Sequence, residues 1–542
     1  MICRLVFLVL LLPVVPLPAA APPVARRTTS GPLHREIDRI LEASPGFARY
    51  KAPAAFDAEF LRRVTLDLTG CIPTTAEARA FLADRSPNKR EALVDRLLNS
   101  PEHARHLATF LDVTLMERLP GRQIPQAEWF EFLRRSVLTN QPWDVLAREI
   151  LSGDGQDPAA RHRVKFFLER NGEPNLITRD ISRLFLGTNL QCAQCHDHPR
   201  IEEYRQDDYY GLLAFIGRTS IVSDRKKKLP LLAEKADGET TYQSVFDPRK
   251  VTKTALPRVP GGQALRDPML DKSRLYVVAP AAGVASVPAY SRRAKLAAAL
   301  TQPGYLPFRR NIANRLWALM MGRGLVEPLD MDHPANPPSH PELLDLLADD
   351  IGARRFNMRE FLREIALSQA YQRSSEPPPG VDLKDAPLYA TAVLKPLTPE
   401  QLALSLMQAS GYTDAMRASL GKSITEEKLY ARLTGGIAPF VRSFGSGEGA
   451  PQGFDARIDQ ALFLANGSLV RSWLTPGSVN LLGRLQKLSG DALADELYLS
   501  IFTRLPSTEE RQEVADFLTR HPGRLSDLAW ALLASTEFRF NH

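Results

Sequence analysis

The sequence lacks the short motifs that mark several common enzyme classes. It contains no G-x-S-x-G nucleophile elbow, no H-E-x-x-H zinc helix and no glycine-rich phosphate loop. A hydrolase would therefore have only scattered carboxylates and histidines to use. No nucleic-acid-binding module is recognisable either. The motifs leave open whether the protein is an enzyme.

Clusters of one charge are also scarce. The formal net charge is +7, but the basic residues are spread along the 542 residues, and only 225–228 form a run, for which we predict a solvated loop. This charge is compatible with an anionic redox partner or an anionic polymer or protein outside the cell, and it demands neither. We predict no nucleic-acid partner.

Long hydrophobic runs are missing as well, and the one at the start of the chain is short. Arg4 precedes the apolar stretch Leu5–Val15, and small residues follow at Ala19–Ala21. The stretch is too short to span a bilayer, so the pattern predicts a signal peptide at 1–21 rather than a retained anchor. We expect an exported protein, periplasmic or at the cell surface, without a transmembrane segment in the mature chain.

Cysteine is rare, with four residues in the whole chain. Cys3 would leave with the signal peptide, and Cys71 is predicted to be a buried apolar residue. The other two, Cys192 and Cys195, stand directly before His196 as C-x-x-C-H. In an exported protein this spacing is the attachment pattern of c-type haem, with two thiols as thioether anchors and the imidazole as an axial ligand.

Two other interpretations of the same stretch remain open. The two thiols could close a short disulfide, or Cys192, Cys195, His196 and His198 could supply the ligands of one structural zinc. In the haem hypothesis His198 lies too close to His196 along the chain to reach the opposite face of the ring. A metal role for His196 and His198 therefore belongs to the zinc hypothesis, whereas the haem hypothesis uses His196 alone.

The sequence does not choose a sixth ligand for the haem iron. A methionine would raise the reduction potential, a second histidine would lower it, and an open position would permit ligand chemistry. The residues considered are His103, His106, His333, His340, Met116, Met320, Met321 and Met331.

Helical periodicity dominates most of the chain. Ser-Pro and Thr-x-x-Glu caps open several amphipathic helices between 22 and 216, and helical patterns return from 291 to 542. Between them, 217–290 is rich in proline and glycine and contains a run in which apolar and polar residues alternate. We predict a mainly α protein with two helical-bundle domains and a small β insertion and linker, in which Leu229–Lys235 pairs with Thr240–Phe246 around Asp237-Gly238.

The two ends of the chain resemble each other. Leu66–Leu82 and Leu497–Leu518 share the order of apolar residues and capping signals, and Leu-Leu-x-Ser closes the helix that follows each of them. We interpret this as one helix-turn-helix unit used twice, and convergent capping chemistry is the alternative.

Several further motifs recur in order along nearly all of the chain after the signal peptide. They are Arg62–Gly70, Asp95–Leu98, Leu186–Pro199, Asn314–Trp317, Gly322–Val326, Pro337–Leu344, Tyr371–Ser375 and Gln460–Leu464. Together these motifs resemble a planctomycete two-domain family, with a cytochrome-c-like domain followed by a planctomycete-specific domain.

The family consists of domains of unknown function, and its cytochrome label depends on the same C-x-x-C-H. The chain also departs from it, because relatives commonly carry a Trp- and His-rich segment where this sequence has His103–Asp112. The leading hypothesis is an exported protein with one c-type haem, acting in electron transfer or a haem-dependent redox step. The alternative is a non-redox binding protein with a structural metal or a disulfide.

Overall fold

The computed structural model describes residues 31–224, 229–421, 424–446, 457–477 and 479–542. The predicted signal peptide at 1–21 and the basic run at 225–228 lie outside these ranges. The described chain is mainly helical with small two-stranded sheets, which confirms the predicted fold class. None of its helices is both long and apolar enough to cross a bilayer.

Helices fill the first part of the chain almost without interruption. They are α1 (Leu33–Glu42), α2 (Phe47–Tyr50), α3 (Asp57–Thr69), α4 (Thr75–Ala83), α5 (Lys89–Leu98), α6 (Pro101–Met116), α7 (Gln126–Leu138), α8 (Trp143–Ser152), α9 (Lys165–Leu168), α10 (Pro174–Leu186) and α11 (Gln206–Ile216). Short 3₁₀ turns occur at Pro158–Val164 and Gln191–Gln194.

Short strands follow and then helices resume. The strands are β1 (Thr219–Ser223), β2 (Pro230–Glu234), β3 (Thr240–Tyr242), β4 (Lys253–Ala255), β5 (Tyr276–Val278), β6 (Val287–Pro288), β7 (Lys395–Pro396) and β8 (Phe540–Asn541). The helices are α12 (Arg292–Leu300), α13 (Leu306–Met321), α14 (Pro341–Ala353), α15 (Met358–Leu367), α16 (Pro399–Ala409), α17 (Tyr412–Leu420), α18 (Glu426–Phe444), α19 (Ile458–Asn466), α20 (Ser468–Trp473), α21 (Leu481–Leu485), α22 (Gly490–Phe502), α23 (Thr508–Arg520), α24 (Leu525–Leu533) and α25 (Thr536–Arg539).

Capping chemistry explains where the helices begin. At α4 the Thr74 hydroxyl accepts from the Glu77 backbone N–H, while the Glu77 carboxylate accepts from the Thr74 N–H. The same reciprocal pair joins Ser507 and Glu510 at α23. Each box satisfies backbone donors that the first helical turn leaves unpaired. The predicted Thr-x-x-Glu start is confirmed at Thr74.

The predicted hairpin around Asp237-Gly238 is wrong. β2 pairs with β1, and β3 pairs with β4, so the two runs on either side of this turn belong to different sheets. Gly238 has a positive φ of 120°, but no hairpin turn joins the two runs. The backbone between them is engaged by Arg218, whose guanidinium donates to the carbonyls of Ala236 and Gly238 at 2.7 and 3.0 Å. Arg218, the residue directly before β1, thus holds the backbone that links β2 to β3.

Two hydrophobic cores organise the helices. The first extends along the sequence from Leu33 to Ala390, takes in Leu499 from α22, and combines helices on both sides of the strand region. The second runs from Leu397 to Phe538 and also takes in Leu66 and Ile72 from the first part of the chain. The predicted domain boundaries at 216 and 291 stay a prediction, and the cores show that apolar packing continues across them.

Candidate functional site

The C-x-x-C-H stretch lies in a surface loop that α10 positions. That helix ends at Gly187, whose φ of 69° turns the chain sharply, as a left-handed glycine cap does. Behind the turn, the carbonyl of Gly187 accepts from the N–H of Asp332, and Thr188 forms an antiparallel bridge with Met331. The start of the loop therefore packs against residues 331–332, a segment of the second half of the chain.

Both thiols of the motif are exposed and unpaired. Cys192 lies in the 3₁₀ turn Gln191–Gln194 and Cys195 directly follows it, and in such a turn side chains three residues apart lie on the same side. Cys192 and Cys195 are three residues apart, and the Cys195 N–H donates to the Cys192 carbonyl at 3.3 Å. The turn therefore presents two free sulfurs to solvent on one face.

His196 is held by its own neighbour. Its Nδ1 lies 2.7 Å from the backbone carbonyl oxygen of Asp197, an acceptor, so in the neutral ring Nδ1 carries the proton and Nε2 keeps its lone pair. The ring lies 4.7 Å from that of Phe246, centroid to centroid. Phe246 and Val245 are 73% and 66% exposed, and the Val245 N–H donates to the Cys195 carbonyl. An exposed apolar surface thus borders the imidazole.

His198 has a different environment. Its Nδ1 accepts from the backbone N–H groups of Ile201 and Arg200 at 3.0 and 3.2 Å, which leaves the proton of a neutral ring on Nε2. Binding a metal through this imidazole would require the proton to leave or the turn to open. Among the residues that the structure describes, no group of three or more His, Cys, Asp or Glu side chains has metal-binding geometry. The metal roles of His196 and His198 stay predictions.

The residues considered for a sixth ligand are scattered. Met331 and His333 lie on the segment that supports the motif loop, and the His333 ring packs edge-on against Tyr204 at 5.4 Å. His340 directly precedes α14, and its Nε2 lies 3.3 Å from the Ser44 hydroxyl. His333 is buried as well, and the other buried members of the set lie on helices α6 and α13: His103, His106, Met116, Met320 and Met321.

The fold also assembles a polar cluster that the sequence analysis missed. The buried Asp67 carboxylate accepts from Lys395 Nζ at 2.5 Å, from Asn541 Nδ2 at 2.7 Å and from the Tyr371 hydroxyl at 2.8 Å. Asp67 lies in α3, Lys395 in β7 and Asn541 in β8, and Tyr371 lies in the turn that follows α15. No local spacing could have signalled the cluster, because Asp67 lies 304, 328 and 474 residues from Tyr371, Lys395 and Asn541.

Comparison with known proteins identifies two regions of the chain. A family model described as a protein of unknown function (DUF1549) matches residues 36–220, and a second, also described as a protein of unknown function (DUF1553), matches residues 292–435. No curated protein and no solved structure matches the chain. The chain thus carries a DUF1549 domain followed by a DUF1553 domain, the pair typical of planctomycete proteins.

Proposed function

We propose that this chain is an exported protein with one covalently attached c-type haem, located in the periplasm or at the cell surface. Cys192 and Cys195 are the thioether anchors, and His196 is the axial ligand of the iron. The observation that carries the proposal is the presentation of two unpaired thiols on one side of a 3₁₀ turn, directly before an imidazole with a free Nε2.

The donor set fits this group. Since His196 Nδ1 donates to the Asp197 carbonyl, the ring is held in the tautomer that offers Nε2 to a metal. Each thiol would add its sulfur to one carbon of a vinyl group and its proton to the other, so attachment needs no oxidant. The exposed side chains of Val245 and Phe246 would cover apolar porphyrin surface.

A bound haem supplies one-electron redox chemistry, which supports a role in electron transfer or a haem-dependent redox step. The chain's own contribution is to anchor and orient the group. Its net charge of +7 is compatible with an anionic redox partner, because complementary charge accelerates encounter.

Haem staining of a denaturing gel and a pyridine haemochrome spectrum test the proposal, on protein made in a host with c-type maturation machinery. We expect covalent haem in the natural protein and none in the double variant Cys192→Ala/Cys195→Ala. Cys71→Ala is the matched control. Burial raises the pKa of the Cys71 thiol to about 12, so this cysteine is unreactive and its loss should leave the haem in place.

A colourless natural protein from that host would overturn the proposal. Zinc found by elemental analysis, or a mass two hydrogens lower that indicates a Cys192–Cys195 disulfide, would instead support the alternative of a non-redox protein that binds partners or polymers.

A further inference from the structure

A second candidate site is a cavity where the two hydrophobic cores meet. Its volume of about 440 Å³ is within the range of small-molecule sites. The wall is formed by residues of α6 and α13, by the segment that leads into α16 and by the end of the chain. Cys192, Cys195 and His196 do not line it. The cavity is therefore separate from the proposed haem site.

The feature that distinguishes this cavity is the guanidinium group of Arg315, a residue of α13 that is 8% exposed. Its Nε donates to Asn311 Oδ1 at 2.9 Å, and its Nη2 donates to the Arg183 carbonyl at 3.1 Å. Nη1 has no hydrogen-bond partner among the residues that the structure describes, and it is not sealed from solvent as the unpartnered Nε of Arg118 is. Because Arg315 lines the cavity, Nη1 presents its N–H groups there.

The buried charge of Arg315 also lacks a counter-charge. No carboxylate in the described part of the chain forms an ion pair with it. Glu117 and Asp330 act on it only from a distance, because both are directed at Arg183, at 2.5 and 3.9 Å. Burial lowers the pKa of Arg315 to about 10, so these carboxylates do not offset the loss of hydration. A buried cation of this kind is costly unless an anion pairs with it.

Two other cations of the wall already have partners. Lys395 Nζ lies 2.5 Å from the Asp67 carboxylate, and Arg118 forms a two-point ion pair with Glu400 at 2.6 and 3.1 Å. The charges within each pair cancel. These residues therefore leave the charge of Arg315 uncompensated.

Two exposed residues carry the remaining charges. Arg323 lies just after α13 and forms no ion pair with the described residues, and Glu327 accepts from the Gly324 N–H at 3.1 Å. His106 is neutral, because burial lowers its pKa to about 3. Outside the internal pairs, the wall thus has two guanidinium groups and one carboxylate, a net charge of +1. This balance suits a ligand with one negative charge better than a phosphate ester, which has nearly two.

The rest of the wall is largely apolar. An apolar body can bury its surface against these side chains while a charged group meets Arg315. A carboxylate can accept from Nη1 and supply the missing counter-charge, whereas an ammonium group cannot accept and an amide carries no charge. The apolar residues include Phe110, Val113, Leu319, Val393, Leu394 and Phe444.

We propose that this cavity binds a small organic carboxylate with one negative charge and an apolar body. The carboxylate accepts from Arg315 Nη1, and the exposed charge of Arg323 adds attraction. The apolar body packs against the side chains of α6, α13 and the segment before α16.

Titration calorimetry of the full chain tests the proposal, with phenylacetate and hexanoate as the carboxylates. Three comparison ligands have the phenyl body with other polar groups: phenylacetamide is neutral, 2-phenylethylamine is positive, and phenyl phosphate carries nearly two negative charges. We expect at least one carboxylate to bind more tightly than all three, because only the carboxylates combine a single negative charge with an apolar body.

Arg315→Gln keeps a side-chain donor and removes the charge. It should weaken carboxylate binding about tenfold or more, which corresponds to the loss of a hydrogen bond to a charged group. Arg309→Gln is the matched control. Arg309 lies on the same helix, is 7% exposed and pairs with Asp349 at 2.8 Å, but it does not line the cavity. Its substitution should leave binding unchanged.

Exposed positions provide a second test if Arg315→Gln does not fold. Arg323→Glu reverses a charge at the cavity and should weaken carboxylate binding at least about threefold. Arg85→Glu changes the net charge of the protein by the same amount at an exposed residue that does not line the cavity. It should leave binding unchanged.

Four results would overturn the proposal. The first is no saturable binding of either carboxylate up to ~50 mM, a concentration that would reveal even millimolar affinity. The second is a comparison ligand that binds as tightly as the carboxylates, and phenyl phosphate in that role would assign the cavity to a phosphate ester. The third is equal weakening in Arg315→Gln and Arg309→Gln. The fourth is equal binding by Arg323→Glu and Arg85→Glu.

Discussion

At the scale of single residues, the buried histidines of α6 contact backbone carbonyls at the C-terminal end of α3. The last carbonyls of α3 have no partners within that helix. His103 contacts the carbonyl of Leu68 at 2.8 Å, Arg105 donates to that of Thr69 at 2.6 Å, and His106 donates to that of Asp67. These side chains explain why polar residues are buried at this helix contact.

The two histidines make stability depend on pH. Burial lowers the pKa of His103 to about 4 and that of His106 to about 3, against 6.5 in the unfolded chain. Below 6.5 the unfolded state therefore binds more protons than the folded state, and stability is lost as the pH falls. We expect each histidine to reduce the free energy of unfolding by about 2 kcal/mol between pH 7.5 and pH 5.

Urea unfolding at both pH values measures this loss. His103→Phe and His106→Phe should each make stability less sensitive to pH over this interval. An unchanged pH dependence in both variants would show that other groups cause it.

At the scale of elements, the glycine that ends α10 determines where the motif loop starts. Gly187 has φ of 69°, and a Cβ at this position would lie 3.1 Å from Asn311 Oδ1 and 3.4 Å from the Leu329 carbonyl oxygen. Any side chain at position 187 would thus cause both backbone strain and a close contact. The loop after it carries both free thiols, so its placement depends on this cap.

We expect Gly187→Ala to destabilise the protein by about 1–2 kcal/mol, since alanine must adopt a left-handed conformation against close neighbours. The measurement is the free energy of unfolding in urea. Gly304→Ala is the control, because a Cβ there meets no heavy atom within 4 Å and its φ is not positive. It should change stability by less than about 0.5 kcal/mol. Equal effects of the two substitutions would contradict this account of the cap.

At the scale of the whole molecule, the end of the chain is built into its beginning. β8 pairs with β7, with Asn541 opposite Lys395, and both residues contact the Asp67 carboxylate of α3. Nearby, the fully buried Arg62 donates to the carbonyls of Ile501 and Phe538 at 3.1 and 3.0 Å. These polar contacts join three distant parts of the sequence at the boundary between the cores.

Lys395→Met should be strongly destabilising, by about 3–5 kcal/mol, because it leaves the Asp67 carboxylate buried without its cation. The double variant Asp67→Asn/Lys395→Met removes both charges and should recover part of this loss. Chemical denaturation of the single and double variants gives the comparison. A double variant less stable than Lys395→Met would contradict the buried-charge explanation.

Much of the local structure could be predicted because its causes are local. The Thr74–Glu77 and Ser507–Glu510 boxes and the end of α10 at Gly187 follow from capping chemistry within a few residues. The hairpin at Asp237-Gly238 could not be predicted in the same way. The strands on either side of it pair with β1 and β4 instead, and a turn signal says nothing about those partners.

The sequence by itself determined the helical class, the helix starts and the presence of two thiols and an imidazole within five residues, since each depends on neighbours along the chain. Only the tertiary structure decided which groups meet. It left Cys192 and Cys195 unpaired at the surface, gave His196 and His198 opposite tautomers, and brought Asp67, Lys395 and Asn541 together. Contacts between distant residues depend on the packing of whole helices, and no local pattern encodes that packing.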